Sequence, residues 1–317
     1  KEYGFAEPFY LLLDDSDGIF GVLPLYIVNV FPFGKGLISL SDCSGPLVKN
    51  SERSKDYFGR LLQILEMEVK EQNFSFFKLR LQASSFLNSF MPSRYIKYNE
   101  YCTFVLDLSE GSEKIFRCRI HKKTRTAIRK AIKLGVEVSK ELPGVETYWR
   151  FYKETMVRSK GIYDEKRINL FKLVWRRLEH KKDFMTLTAT FKGKPIAGVI
   201  AFLFRDNVHV WYNSSLSQFL YLNPNEFLYW KLIEEAGDKG YKYLDFGPTP
   251  LRMSEGHYFF KSRFGGTMIP FNDYAYFASK IRYLLIEGGI LQLAKKLNVR
   301  RKVPEIILQK MSGRVIF

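Results

Sequence analysis

Apolar and polar residues alternate from residue 1 to residue 50 in the short runs that are typical of β-strands. Residues 9–13 form one apolar run, residues 14–18 have the composition of a hairpin turn, and a second run continues to Val30. Pro24 lies inside that second run. Because proline has no amide to donate to a ladder, the pattern predicts an edge strand or a bulge there.

Helical spacing of apolar residues begins after residue 50 and recurs along the chain. Leu61, Leu62, Leu65 and Val69 share one face, which predicts an amphipathic helix from Ser54 to Gln72. The same reasoning predicts helices at residues 145–160, 169–179, 227–237 and 280–297, and strands at 76–81, 103–108, 136–138, 184–191, 195–204, 207–214, 241–246 and 269–277. This mixture predicts an α+β (mixed α/β) fold with largely antiparallel sheets.

Composition changes this picture mainly through charge. The 317 residues carry a formal net charge of +17, which indicates an anionic partner: a nucleic acid, a phosphorylated donor or an acidic membrane face. An evenly solvated basic surface is the alternative.

No apolar run reaches the roughly 18–20 residues of a membrane helix. Cys43, Cys102 and Cys118 are widely spaced, which predicts reduced thiols in the cytoplasm, and the histidines lack metal-ligand spacing, so no metal site is predicted.

One segment concentrates the positive charge. Residues 115–136 contain eight Lys or Arg residues and no acid, and Gly135 provides a helix end. On a helical wheel Lys122, Arg125, Arg129 and Lys133 share the face opposite the apolar residues. A solvated outer face would normally include glutamates for pairing four residues apart, so the pattern favours anion binding.

The second candidate for chemistry is Lys261. Residues 241–246 form a predicted strand with Asp245 near its end, and Gly247 to Pro250 break that strand. Lys261 comes later, directly after a run of aromatic residues that includes Tyr258 and Phe260. An ammonium packed on aromatic faces beside a glycine-opened gap suits a phosphate or a developing oxyanion. The alternative is a surface lysine whose stem covers an apolar wall.

These segments resemble one family. Asp245-Phe246-Gly247 followed by the run from Gly256 to Gly266, the basic run 121–131, Pro195–Gly198 and Trp211–Ser215 are similar, in order, to FemABX-type peptidyltransferases, a branch of the GNAT-like acyltransferases. The resemblance implies two GNAT-like domains, residues 1–116 with 278–317 and residues 117–277, the C-terminal segment returning to the first. Residues 218–222 lack the glycines with which acetyl-CoA-binding relatives hold a pyrophosphate.

The resemblance also implies the chemistry, which is attack by an amine on an activated carbonyl. It places Lys261 and Phe260 where the acyl group is transferred, and Arg125 and Arg129 on substrate phosphates. Arg158, Tyr212 and Tyr258 are further candidates for substrate binding. Asp245 is a candidate general base or a cap of the Gly247 loop. If the hypothesis is right, Arg129 and Lys261 share one cleft.

Three functions are therefore open. The first is a FemAB-like acyl- or aminoacyltransferase acting on a peptidoglycan or exopolysaccharide precursor, with aminoacyl-tRNA or acyl-CoA as donor and no tightly bound cofactor. The second is acetyl-CoA-dependent acetylation of a small amine, and the third is non-catalytic binding of tRNA or another polyanion. The expected location is the cytoplasm, with contact to the inner face of an acidic membrane as an extension. The sequence predicts no oligomeric state.

Overall fold

The computed structural model describes residues 7–29, 34–39, 45–98, 101–140, 143–159, 163, 165–178, 183–251 and 256–279. The predicted helix at 280–297 and Cys43 lie outside them. The chain divides into two compact units, one formed by the residues up to Tyr101 and from Pro270 onward, the other by Cys102–Ile269. None of the described helices combines the length and apolar character that a membrane crossing requires.

The chain up to Tyr101 contains mainly strands and one long helix. Its elements are β1 (Glu7–Asp15), β2 (Gly18–Asn29), β3 (Lys35–Ile38), β4 (Leu47–Val48), α1 (Ser54–Glu71), β5 (Phe76–Gln82) and β6 (Ile96–Tyr98). The helix buries Phe58, Leu61 and Leu65 against the sheet. The predicted strands and the predicted helix from Ser54 are confirmed.

The second unit holds most of the helices. Its elements are β7 (Tyr101–Asp107), α2 (Ser112–Lys114), α3 (Lys122–Lys133), β8 (Val136–Ser139), α4 (Val145–Arg158), α5 (Ile168–Leu178), β9 (Phe184–Phe191), β10 (Lys194–Phe204), β11 (Asn207–Ser215), α6 (Pro224–Asp238), β12 (Tyr243–Asp245), β13 (Thr249–Pro250) and α7 (Gly256–Ser262). The last described strand, β14 (Thr267–Phe277), leads into the first unit.

The first unit pairs its strands in the order β1-β2-β3-β5-β14, with β4 on β2 and β6 on β14. All pairs are antiparallel except β3 with β5, which α1 connects. Pro24 lies in the paired strand β2 rather than at an edge. It is tolerated because pairing with β4 involves Gly21 and Val22 and pairing with β3 begins at Tyr26, so Pro24 falls between them.

The second unit repeats this topology. Its strands follow the order β7-β12-β11-β10-β9-β8, and β13 pairs with β7. Between neighbours in that order, within the described residues, β11 with β12 is parallel and the other pairs are antiparallel, and α6 connects β11 to β12. One face of the sheet packs on α3 and α6, and the other packs on α4 and α5. Successive strand residues point to opposite faces, so Val199 belongs to the first hydrophobic core and its neighbour Ile200 to the second. The predicted fold class, with two similar mixed sheets flanked by helices, is confirmed.

Three features differ from the expectations. Gly256–Ser262 is a helix, although the pattern gave no helix around Lys261. Ile115–Arg119 is a π-helix that precedes α3. The division into compact units also differs from the expected domain boundaries at 116/117 and 277/278. Residues 102–116 belong to the second unit and residues 270–277 to the first, because β7 pairs with β12 while β14 pairs with β5.

Candidate active site

In the second unit β11 and β12 pair over three residues only, and we call the place where their pairing ends the gap. The two strands pair only from Asn207 to His209, opposite Tyr243 to Asp245, and the chain after β12 turns to pair with β7 instead. Gly247 makes this departure possible. Its φ is +74°, and a Cβ there would lie 2.5 Å from the Val210 carbonyl oxygen, so only glycine fits without strain.

A β-bulge reorients β11 beside the gap. Val210 lies opposite Ala201 and Tyr212 opposite Ile200, which leaves Trp211 as the extra residue. Bulges of this kind redirect side chains next to active sites. Beyond the bulge, Asn213 Nδ2 is buried and has no hydrogen-bond partner among the described residues. The same holds for Thr249 Oγ1 and for Asn225 Oδ1, whereas Asn225 Nδ2 donates to Ser215 Oγ at 3.0 Å. Such buried polar atoms suit a bound polar ligand.

Lys261 projects from α7 to the loop at this gap. Its Nζ donates to the carbonyl oxygens of Gly247 and Pro248, both at 2.9 Å. In the same segment the Arg263 guanidinium lies 4.1 Å from the centre of the Phe259 ring. Lys261 is half-buried. Its position beside the glycine-opened gap agrees with the sequence, while its carbonyl partners were not foreseen.

The predicted aromatic neighbours of Lys261 hold α7 in place. Phe260 meets the Tyr229 ring edge-on, with centroids 5.2 Å apart, and Tyr258 meets Phe104 at the same separation. Burial raises the pKa of Tyr229. The structure thus assigns Phe260 and Tyr258 packing contacts, and their proposed roles toward substrate remain predictions.

Asp245 lies in a buried network at the point where the strands part. Oδ1 accepts from the Gly247 amide at 2.8 Å and from the Thr103 hydroxyl, and Oδ2 lies 3.2 Å from His209 Nδ1. Burial alone raises the pKa of Asp245, but the hydrogen bond and charge of His209, with the Thr103 and Gly247 hydrogen bonds, lower it overall. Asp245 therefore caps the loop. A carboxylate with a lowered pKa is a weak base.

His209 is a member of this network that the sequence did not indicate. It lies on β11 directly opposite Asp245 in the parallel register. Nothing in the local pattern marks it, because the pairing depends on residues 36 positions apart whose register only the fold defines.

Replacing Asp245 by asparagine tests the network through pH. Because the folded pKa lies below the ordinary value of 3.8, the carboxylate stabilises the fold above that value, and this contribution is lost as pH falls through the lower folded pKa. We expect Asp245→Asn to lower the unfolding free energy at pH 7 by about 1–3 kcal/mol and to flatten the acid limb. Urea unfolding as a function of pH measures both. The exposed Asp238→Asn is the control; equal curves for the two variants would contradict the assignment.

Arg158 lies at the end of α4 that faces the end of β11. Its guanidinium donates to Ser217 Oγ at 2.9 Å, to the Ser215 carbonyl oxygen at 3.2 Å and to Ser215 Oγ at 3.2 Å. Burial lowers its pKa. Arg158 therefore organises the segment between β11 and α6 and shares Ser215 with Asn225.

Arg167 is the second functional candidate that the sequence missed. It is 8% exposed, its Nη2 donates to the Tyr212 hydroxyl at 2.9 Å, and its guanidinium lies within 6 Å of the Tyr152 and Tyr212 ring centres. No carboxylate of the described residues pairs with it, and its Nε is buried without a hydrogen bond. A buried guanidinium without an acid is costly unless an anion binds it. Tyr212, which the sequence did single out, is therefore a support for Arg167.

The basic helix α3 is confirmed, but its two arginines differ. Arg125 Nη1 donates to the carbonyl oxygens of Arg117 and Ile120, at 2.8 and 2.6 Å, which is a structural role. Arg129 lines a cavity of about 380 Å³, and Lys261 is not among the described residues that line it. The structure therefore brings Lys261 and Asp245 to one loop, and the shared cleft of Arg129 and Lys261 stays a prediction.

Comparison with known proteins identifies the class. Residues 118–262 match the family model described as "Acetyltransferase (GNAT) domain". A comparison with curated protein sequences found no match. The chain thus carries a GNAT domain, and the protein is an acyltransferase.

Solved structures define the fold further. The chain is similar to FemX, with 13% identity, a TM-score of 0.65 and coverage of 89% of this chain and 90% of that one. It is similar to the C-terminal domain of a putative lysylphosphatidylglycerol synthetase from Agrobacterium fabrum (11%, TM-score 0.58, 86% and 84%). It is also similar to a tandem GNAT protein from the clavulanic acid biosynthesis pathway (8%, TM-score 0.57, 87% and 84%). At identities this low, the structural similarity shows the fold alone. The predicted resemblance is confirmed: the chain has a FemAB-like GNAT fold.

Proposed function

We propose that the protein transfers an acyl or aminoacyl group from an activated donor to an amine on a cell-envelope precursor, of peptidoglycan or exopolysaccharide type. The observation that carries this proposal is the gap between β11 and β12. There Lys261 binds the Gly247 and Pro248 carbonyl oxygens, and the next residue, Thr249, has a buried hydroxyl oxygen without a hydrogen bond to any described residue.

The chemistry needs a deprotonated amine, an aligned carbonyl and a stabilised oxyanion. We assign the last task to the Lys261 ammonium, a donor group whose orientation the two carbonyl oxygens fix before substrate arrives. Asp245 positions the same loop through the Gly247 amide. The amine loses its proton to a base, and the lowered pKa of Asp245 makes a carboxylate on the substrate the better acceptor.

The start of α6 favours aminoacyl-tRNA over acyl-CoA as donor. A diphosphate at a helix N-terminus needs open amides and close backbone approach. Here Pro224 removes one amide from the first turn, and Glu226 adds a carboxyl group to it. In its ionised form Glu226 repels a diphosphate at this helix end.

The acceptor assignment has two supports. The family resemblance implies an envelope precursor, and FemX is among the proteins that share the fold. Arg167 supplies a buried cation that pairs with no carboxylate in the described part of the chain, which suits an anionic group such as the phosphate of an activated precursor. An enzyme with such an acceptor would work in the cytoplasm, at the inner face of the membrane.

A donor screen tests the proposal. Charged tRNAs and acyl-CoAs are each incubated with amine-bearing peptidoglycan and polysaccharide precursors, and products are identified by mass spectrometry. We expect transfer from aminoacyl-tRNA and none from acetyl-CoA. Turnover with acetyl-CoA and a small amine would establish the alternative acetyltransferase. Salt-sensitive tRNA binding without turnover of any donor would favour the polyanion-binding alternative.

A further inference from the structure

The cavity beside Arg129 is formed by an unusual backbone. Ile115–Arg119 is a π-helix, closed by a hydrogen bond of 3.0 Å from the Ile120 amide to the Ile115 carbonyl oxygen. Its C-terminal carbonyl oxygens are held by Arg125, which donates to Arg117 and Ile120. Single π turns are frequent at functional sites because they change where side chains point. Here the turn contributes Phe116 and Arg117 to the cavity wall.

Arg129 is the cation of this cavity that lacks an acidic partner. Its guanidinium lies 5.3 Å from the centre of the Phe116 ring. Within the described part of the chain no carboxylate lies at ion-pairing distance from it. By contrast, Arg117 pairs with Glu113 at 2.6 Å, and Glu234 lies 2.9 Å from Lys231 Nζ. An aromatic ring holds the guanidinium in place without neutralising it, so the free charge is available to an anion.

The rest of the wall suits a ligand that also has a ring and hydrogen-bond donors. Phe116 packs on Trp230, with centroids 4.6 Å apart, and the Glu113 and Glu234 carboxylates accept hydrogen bonds. The volume of about 380 Å³ is within the range of about 300–1,000 Å³ that small-molecule sites occupy.

We propose that this cavity binds one nucleotide, free or at the end of an RNA, with its phosphate on Arg129 and its base or sugar against Phe116 and Trp230. The site is distinct from the gap at Lys261, which is not among the residues that line the cavity. Because binding is measured without turnover, the test is independent of the proposed function.

Calorimetric titration with AMP tests the proposal. We expect saturable binding with one site, weaker binding of adenosine and of inorganic phosphate alone, and quenching of tryptophan fluorescence that Trp230→Phe reduces. Arg129→Met is expected to weaken AMP binding about tenfold or more, the size of a lost charge-assisted hydrogen bond. Lys130→Met is the matched control, since it removes the next exposed cation of α3 and Lys130 does not line the cavity.

A short single-stranded RNA distinguishes the two sources of the nucleotide. Competition with AMP indicates an RNA end, and lack of competition indicates a free nucleotide; both support the site. The proposal is overturned if AMP does not saturate, if phosphate binds as tightly as AMP, or if Lys130→Met weakens binding as much as Arg129→Met does. Arg129 is exposed on α3, so its replacement leaves the core intact.

Discussion

Replacing Gly247 by alanine is expected to destabilise the second unit by about 2–5 kcal/mol. The left-handed backbone at φ +74° accounts for about 1–2 kcal/mol with a side chain present. The new Cβ at 2.5 Å from the Val210 carbonyl oxygen adds about 1–3 kcal/mol, because backbone on both sides must move. Urea unfolding followed by tryptophan fluorescence measures the effect, and all four tryptophans of the chain lie in this unit.

Gly240→Ala is the matched control for that substitution. Gly240 has nearly the same φ, +81°, but a Cβ there meets no atom within 4 Å. We expect this variant to lose only the backbone part, about 1–2 kcal/mol. Equal losses at the two positions would show that the close approach of Gly247 to Val210 of β11 contributes nothing to stability.

Replacing Lys261 by alanine is expected to reduce turnover about 100-fold or more with the donor found by the screen. This is the usual effect of removing one preorganised donor to an oxyanion. The Gly247 and Pro248 carbonyl oxygens also lose their partner, so we expect a loss of stability of about 1–3 kcal/mol. Steady-state kinetics and urea unfolding on the same preparation separate the two effects.

The control for Lys261 is Lys242→Ala. Lys242 lies in the same unit and its Nζ is 2.8 Å from Asp206, in an exposed pair. We expect turnover and unfolding midpoint to be unchanged in this variant. If Lys261→Ala has reduced stability but normal kcat, the ammonium serves the loop alone and leaves the proposed mechanism.

Local pattern was sufficient for most elements. The periodicity of α3 and its one-sided charge follow from the order of residues 115–136, since a helix of 3.6 residues per turn fixes which side chains share a face. Lys261 was recognised from its motif. The helix that carries Lys261 was missed because Gly256–Ser262 has only seven residues. About two turns are too few to show a helical period in the sequence.

The sequence by itself determined the α+β class, the basic face of α3 and the FemAB-like resemblance, because each of these is encoded in neighbouring residues. Only the tertiary structure decided that His209 faces Asp245, that Arg167 is buried on Tyr212, and that Arg129 lines a cavity with Phe116 and Trp230. The reason is physical: these contacts join residues far apart in the chain, and their register and burial arise only when sheets and helices pack.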